Sequence, residues 1–241
     1  MNQPYLICKD TIKEAWINAV EFLKNNSWDY WNLVVHIKDP TLIDCETNSI
    51  LAEFAKRNKL VTPKGVAYTI FPHKLYKRVN SEDKVYDGYI NRIYPWTRTR
   101  DHKGWGTYFH RMIHYDNNGQ KVNQLKNIIN AVNTRERTSR AAYTIVIEKP
   151  GGETIRPLGA PCLNYIAVQI EPGTQRRINL LCTYRNHDFL ERAYGNYWGL
   201  CNLLCFIAVE TNSLPGTLTC VSSHAYVPCF KEELISLLEE L

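Results

Sequence analysis

Apolar residues recur at helical spacing near the start of the chain. Between Thr11 and Asn25, the residues Ile12, Ala15, Trp16, Ala19, Phe22 and Leu23 fall on one stripe. The stripe predicts an amphipathic helix with Thr11 as its N-cap and the Asn25-Asn26-Ser27 cluster as its stop. Leu33 to Ile37 reads as a short strand ended by Asp39-Pro40, Ser49 to Asn58 as a second helix, and Val66 to Phe71 as a further strand. Val122, Leu125, Ile128, Ile129 and Val132 predict a helix over Asn123 to Val132. Ala142 to Glu148, Ile166 to Ile170 and Ile178 to Thr183 are β-rich, and the last two flank Glu171-Pro172-Gly173-Thr174, a turn sequence that predicts a hairpin. Tyr197 to Val209 is apolar on every side, as a buried helix is, and Asn212 with Pro215-Gly216 breaks it. Leu218 to Ser222 then reads as a strand, and Phe230 to Leu241 as a terminal amphipathic helix.

With 241 residues, 44% hydrophobic and 22% charged, the chain can bury one substantial core. No repeat, low-complexity tract or linker interrupts it, so a single domain over residues 1–241 is expected. No run of eighteen apolar residues occurs, and Met1 to Leu23 carries Lys9, Asp10, Lys13 and Glu14 where a signal peptide needs an apolar centre. A cytoplasmic protein with no membrane partner is the expectation. The eight cysteines show no C-x-x-C pair and mostly sit in apolar runs, which argues against a disulfide or zinc framework. His110 and His114 stand four apart without the Glu of a H-E-x-x-H helix, so no metal is predicted. The net charge of +5 is spread along the chain and favours small anionic ligands over a dedicated nucleic-acid groove. One basic, aromatic-rich segment, Lys74 to Lys103, reads either as a solvated loop region, as a contact for phosphate or a folate glutamate, or as an RNA-binding surface.

The candidate chemistry lies between Gly159 and Tyr226. It comprises Gly159-Ala160-Pro161-Cys162-Leu163, Thr183-Tyr184-Arg185-Asn186-His187-Asp188, Gly195-Asn196 and His224-Ala225-Tyr226. A free thiol is only a few per cent thiolate at neutral pH, and a nearby cation raises that fraction. Arginine also grips phosphate by forked bonds, an amide offers a donor and an acceptor to a base edge, and a His-x-Tyr pair on one strand face can hold a sugar. Together these residues describe a nucleotide site. Each alone has a plainer reading: Cys162 as a core thiol, Gly195-Asn196 as a turn, Asp188 as a helix cap, and His224 with Tyr226 as a satisfied buried pair.

The four pieces in this order resemble the signature of the thymidylate synthase and pyrimidine nucleotide hydroxymethylase superfamily: Pro-Cys, Arg-Ser-x-Asp, an Asn eight residues on, then His-x-Tyr. The interval from Asp188 to Asn196 matches that spacing, and the resemblance covers the last 100 residues or so well and the first 140 loosely. Trp105-Gly106-Thr107-Tyr108 ahead of Arg111 looks like the family's Tyr-Gly-x-Arg turn, and Asn123-Gln124-Leu125 is similar to its Asp-Gln-Leu. The resemblance implies an α/β (α+β) fold with a mixed sheet, flanking helices and a homodimer packed through the sheet. It further implies that Cys162 adds to C6 of a pyrimidine nucleotide, with Arg185 and Asp188 also catalytic. Arg140, Tyr184, Arg185, Asn186, Asn196, His224 and Tyr226 would bind the nucleotide. Trp105 and Asp188 would meet 5,10-methylenetetrahydrofolate, the one-carbon donor. Asn196 favours uracil, since relatives acting on cytosine tend to carry Asp there. The implied activity is methyl transfer to a deoxyuridylate-type substrate; the alternatives are 5-hydroxymethyl transfer and a non-catalytic nucleotide-binding or regulatory protein of the same fold.

Several positions depart from the pattern. Ala141 stands where a second phosphate arginine is usual, Tyr184 replaces Gln, Asn186 replaces Ser and Leu163 replaces His, the last as in short, archaeal-type members. Arg176, Arg177 or the basic segment would have to compensate for the missing arginine. The family's Glu-Leu-x-Trp helix has no counterpart, and Glu82, Asp83 and Asp87 are the acids nearest its expected place.

Overall fold

The computed structural model describes residues 3–100, 104–134, 141–151, 153, 155–156 and 159–241. Strand β1 (Tyr5–Lys9) leads into helix α1 (Ile12–Lys24), where Thr11 and Glu14 form a reciprocal capping box at the start. Strand β2 (Asp29–Ile37) runs parallel to β1. A helical stretch follows: α2 (Cys45–Arg57), α3 (Pro63–Ile70), α4 (His73–Val79), α5 (Glu82–Gly88), a π-helical turn (Tyr89–Ile93) and α6 (Tyr94–Arg100). After α7 (Tyr108–Ile113), the small hairpin β3 (Tyr115–Asn117) and β4 (Gln120–Val122) precedes α8 (Gln124–Asn133), which is capped by Asn123. The remaining elements are β5 (Ala141–Val146), β6 (Leu163–Glu171), β7 (Arg177–Asp188), α9 (Ala193–Glu210), β8 (Leu214–Tyr226) and α10 (Lys231–Glu240).

Six strands form one mixed sheet in the order β1-β2-β8-β7-β6-β5. The expected hairpin is β6 with β7, antiparallel, while β8 runs parallel to β7 and antiparallel to β2. Leu33, Val35, Leu218, Cys220, Leu180, Cys182, Ile166 and Val168 point to the core side, where α1 packs on β1 and β2, and α9 on β7 and β8. On the opposite side Leu6, Val34, Val221, Thr183, Tyr165 and Val146 are register partners, one row crossing all six strands, and none of them is buried.

Two expectations are corrected. Val66 to Ile70 belong to helix α3, not a strand, with Phe71 as its C-cap: Thr62 caps the start, Pro63 occupies the first turn, and a short, mostly apolar run fits either state until its neighbours decide. The neighbour that decides is α9, whose Gly195 and Gly199 let the α3 backbone come close; a Cβ at Gly199 would lie 2.8 Å from the Ala67 carbonyl oxygen. The basic segment is helical through α4, α5 and α6 rather than a loop, with left-handed Asn80 ending α4 and Ser81 capping α5. Helix α9 ends at Glu210, before Asn212 and Pro215-Gly216 as expected, but β8 begins at Leu214 rather than Leu218, so Pro215 and Gly216 lie inside the strand. Pro215 is tolerated because β2 pairs no further than Leu218, leaving this stretch bonded to β7 alone.

The alternation of buried and open residues slips by one at a single level of the sheet. In β2 it slips at Asn32, held at φ 62°, in β7 at Arg185 to Asn186 and in β8 at Ser223 to His224. In β6 the register shifts between Leu163 and Tyr165. Beyond that level Tyr30, His187 and Ala225 take the buried side, and Asn186, Asp188, His224 and Tyr226 turn to the other.

Candidate functional site

The half-buried Cys162 stands just before β6, after Gly159, whose φ of +78° suits glycine, and Pro161. Its carbonyl accepts from the Arg185 amide at 2.9 Å, which places Arg185 opposite it across the hairpin. The Arg185 Nε donates to the Pro161 carbonyl at 3.2 Å and one terminal nitrogen donates to the Arg156 carbonyl. The guanidinium therefore clamps the loop that carries the cysteine. From α7, the Tyr108 hydroxyl accepts from the amides of Cys162 at 3.3 Å and Leu163 at 3.5 Å. Burial first, then the neighbouring Cys162 thiol, pushes the Tyr108 phenol up to about 12. The Trp105 ring lies 5.0 Å from that of Tyr108, and its buried indole N–H has no acceptor among the described residues.

Beyond the slip, β7 and β8 bring Asp188 beside Tyr226. Asp188 Oδ1 accepts from the amides of Leu190 at 2.8 Å and Glu191 at 3.1 Å, closing the turn ahead of α9. Burial raises its carboxyl above the usual range despite those bonds. The Tyr226 phenol is raised by burial, then by Asp188 and by the Cys162 thiol, while the Arg192 cation opposes the rise there and at Tyr108. Cys162, Tyr108, Asp188, Tyr226 and Arg192 thus share one electrostatic neighbourhood. Glu191 joins it, 3.1 Å from an Arg192 terminal nitrogen and accepting from the Val61 amide at 2.6 Å. His224 lies between Asn186 Oδ1 at 3.1 Å and Asp29 Oδ2 at 2.7 Å, stacked against Trp31 and Tyr226.

Asn196, in the first turns of α9, is 4% exposed, and its amide contacts His187 Nε2 at 3.1 Å. The other ring nitrogen of His187 meets Ser222 Oγ at 2.9 Å. Burial alone pushes the His187 imidazole down to about 3, so the ring is neutral at physiological pH. Tyr184 stacks on His187 at 4.0 Å and is fully buried, its hydroxyl unpartnered among the described residues. This corrects its expected place in the pocket wall: the strand alternation turns it into the core, where it supports His187.

Cys162, Arg185, Asp188 and Tyr226 are therefore brought together, with Asn186 and His224 along the same strand ends and Asn196 beneath. Arg140 lies outside the described residues. Arg176 does not compensate for Ala141, because its terminal nitrogens bind the carbonyls of Val132 and Thr211 at the far end of β7. Glu82 and Asp83 are also elsewhere. Glu82 bonds to Tyr86 and faces Glu210, the last residue of α9, about 25 Å along that helix from its first residue. Asp83 pairs with Lys126. Among the described residues Asp188 and Glu191 act on Tyr226 together with the Cys162 thiol, and Glu148 lies close by, accepting at 3.0 Å from the Asn164 amide nitrogen that also lies 3.5 Å from the Pro161 carbonyl; Glu148, Glu191, Arg192 and the His187–Ser222 pair are the neighbouring residues that motif reasoning did not single out. A charged Glu-Arg pair inside the interval from Asp188 to Asn196 was the available signal. Among the described residues no group of three or more His, Cys, Asp and Glu could hold a metal, and no helix is long and apolar enough to cross a membrane.

No family model matches the chain. It is similar to a protein named "Putative thymidylate synthase" of Methanococcoides burtonii, 25% identical over 238 residues, spanning 92% of this chain and 88% of the relative. A protein of the same name from Methanosarcina barkeri is 24% identical over 218 residues, spanning 90% and 86%. The chain is a distant homologue of both. The relation covers nearly the whole length, including the first 140 residues, where the motifs resemble the family only loosely.

Proposed function

We propose that this protein transfers a one-carbon unit from 5,10-methylenetetrahydrofolate to C5 of a pyrimidine nucleotide of the 2′-deoxyuridylate type, as a thymidylate synthase does. The observation that carries the reading is the gathering of Tyr108 and Arg185 on the backbone of the loop that holds the half-buried Cys162, with Asp188, Arg192 and Tyr226 in the same electrostatic neighbourhood. The homology to the two archaeal proteins supports it.

In this reading the Cys162 thiolate adds to C6 of the base, and electron density moves toward C5 and O4. Arg185 uses Nε and one terminal nitrogen on the loop, which leaves its other terminal nitrogen for the phosphate. His224 and Tyr226 face the sugar, and Asn196 the base edge. Loss of the C5 proton needs a base, for which Asp188, Glu191 and Glu148 are the candidate carboxylates among the described residues; burial raises the Asp188 carboxyl above its ordinary value. Arg192 supplies positive charge where the anion builds.

The residues present also fit a folate. Trp105 offers a ring face and a buried N–H unmet among the described residues, Asp188 offers its second oxygen to a pterin N–H, and Lys149 and Arg156 line an adjoining open cavity of about 320 Å³ as cations for a glutamate tail, the carboxylate of Glu153 in the same wall being paired with Arg111. When bound, the folate supplies the one-carbon unit. The uncovered apolar row from Leu6 to Val146 fits a second copy packed sheet to sheet.

Incubation with 5-fluoro-2′-deoxyuridylate and methylenetetrahydrofolate tests the activity. A covalent adduct at Cys162, absent from Cys162→Ala, is expected, and the mass gained by the natural substrate separates CH2 from CH2O products. Among the described residues Glu82 and Asp83 are engaged away from Cys162, which favours a second reading, a nucleotide-binding protein without catalysis, for which reversible binding with no adduct is the signature.

A further inference from the structure

The three side chains Ser222, His187 and Asn196 make a continuous buried relay, with contacts of 2.9 Å and 3.1 Å on the two ring nitrogens of the histidine. Ser222 is fully buried, His187 is 1% exposed and Asn196 is 4% exposed. The aromatic rings of Tyr184, Tyr197 and Phe189 enclose the imidazole, so its two nitrogens have no solvent to bond. We infer that His187 and Ser222 are positioning residues that set which way the Asn196 amide faces, and thereby which pyrimidine edge the pocket accepts. The inference rests on the reading of Asn196 as the base-binding residue and adds to it the source of discrimination.

The argument is one of donor and acceptor bookkeeping. A neutral imidazole has one N–H and one bare nitrogen, so the relay can run in two directions. In one, the Ser222 hydroxyl donates to Nδ1 and Nε2–H donates to the Asn196 carbonyl oxygen. In the other, the Asn196 amide nitrogen donates to Nε2 and Nδ1–H donates to the Ser222 oxygen. The direction decides which end of the Asn196 amide is tethered and which is left for a ligand. Uracil presents an acceptor at position 4 and a donor at N3, and cytosine presents the reverse. An amide held one way fits the first edge and mismatches the second. Reversing it exchanges the two. A buried amide is costly to leave unpaired, so the relay holds the choice without any charged residue.

The test is equilibrium binding of 2′-deoxyuridylate and 2′-deoxycytidylate to the unaltered protein and to His187→Ala, His187→Gln and Ser222→Ala. A correctly held bidentate amide discriminates roughly ten- to a hundredfold between the two bases. The unaltered protein is expected to prefer one base by at least about tenfold, and both alanine variants to bring the ratio within about threefold. The Gln variant, which can still donate and accept, is expected to retain part of the preference. Should His187→Ala fail to unfold cooperatively, Ser222→Ala carries the test, since it removes one oxygen from the relay. Equal affinity for the two bases in the unaltered protein, or a preference that survives both alanine variants, overturns the inference. Binding of neither nucleotide by the unaltered protein overturns the pyrimidine reading of the site itself, and the inference with it.

Discussion

Lowering the pH from 8 to 5 protonates an unfolded histidine but leaves His187 neutral inside the protein. Its ordinary value is 6.5 and burial pushes it down to about 3, so between those limits the unfolded chain binds a proton that the folded chain refuses. Stability from this group is present above pH 6.5 and is lost as the pH falls toward 3. At pH 5 an unfolded imidazole is almost wholly protonated, and the loss amounts to ~2 kcal/mol relative to pH 8. Because the native ring is still neutral at pH 5, that figure depends on the unfolded value and hardly at all on how far below 5 the native one lies. The groups packed against the ring, Ser222, Asn196, Tyr184, Tyr197 and Phe189, carry no charge in this window. Other groups do contribute, since Asp44 and Asp116 are held down at about 2 and lose stabilising charge in more acidic solution. The assay is therefore differential: urea unfolding of the unaltered protein and of His187→Asn at both pH values, with the two pH-induced losses subtracted. The unaltered protein should lose about 2 kcal/mol more than the variant. Equal losses in the two proteins would refute the claim that the imidazole is buried and neutral.

Three further outcomes are expected. Gly199→Ala should destabilise by about 1–3 kcal/mol in thermal or urea unfolding, because the new methyl group meets the Ala67 carbonyl and forces α3 off α9. Glu153→Gln should cost about 1–3 kcal/mol in the same measurement, since it leaves Arg111, only 11% exposed at its side chain, without the carboxylate that faces two of its nitrogens. Val221→Arg, placed in the middle of the uncovered row, should reduce the sedimentation mass from two chains to one with the protein still folded; a single-chain mass in the unaltered protein would remove the sheet-packed dimer.

The motif stretch stands out by residue types at intervals that resemble a family signature, and the antiparallel pairing of β6 with β7, expected from a turn sequence between two β-rich runs, sets Arg185 opposite Cys162. Helix α1 was equally plain, since its capping residues and its stripe agree. What could not be read was anything fixed by a partner element. Helix α3 has the composition of a strand and becomes a helix beneath two glycines that lie about 130 residues further on. Tyr184 occupies the position that the family resemblance assigns to nucleotide binding, yet strand alternation sends it inward. The acids Glu82 and Asp83 lie on α5, away from Cys162, whereas Glu191, in the turn after β7, bears electrostatically on Tyr226 while its carboxylate holds Arg192 and the Val61 amide.

The one-residue slip shared by β2, β6, β7 and β8 has a consequence for how such a protein can change over time. Removing or adding a residue in any one of these strands at that level would rotate its remaining side chains by half a turn, sending His224 with Tyr226, or Asn186 with Asp188, into the hydrocarbon interior. Only an opposite one-residue change close by in the same strand restores them, because the neighbours on both sides keep the old phase. A library of single-residue deletions should therefore show a narrow band of intolerance crossing the sheet at right angles to its strands, tighter there than at the sheet's other end.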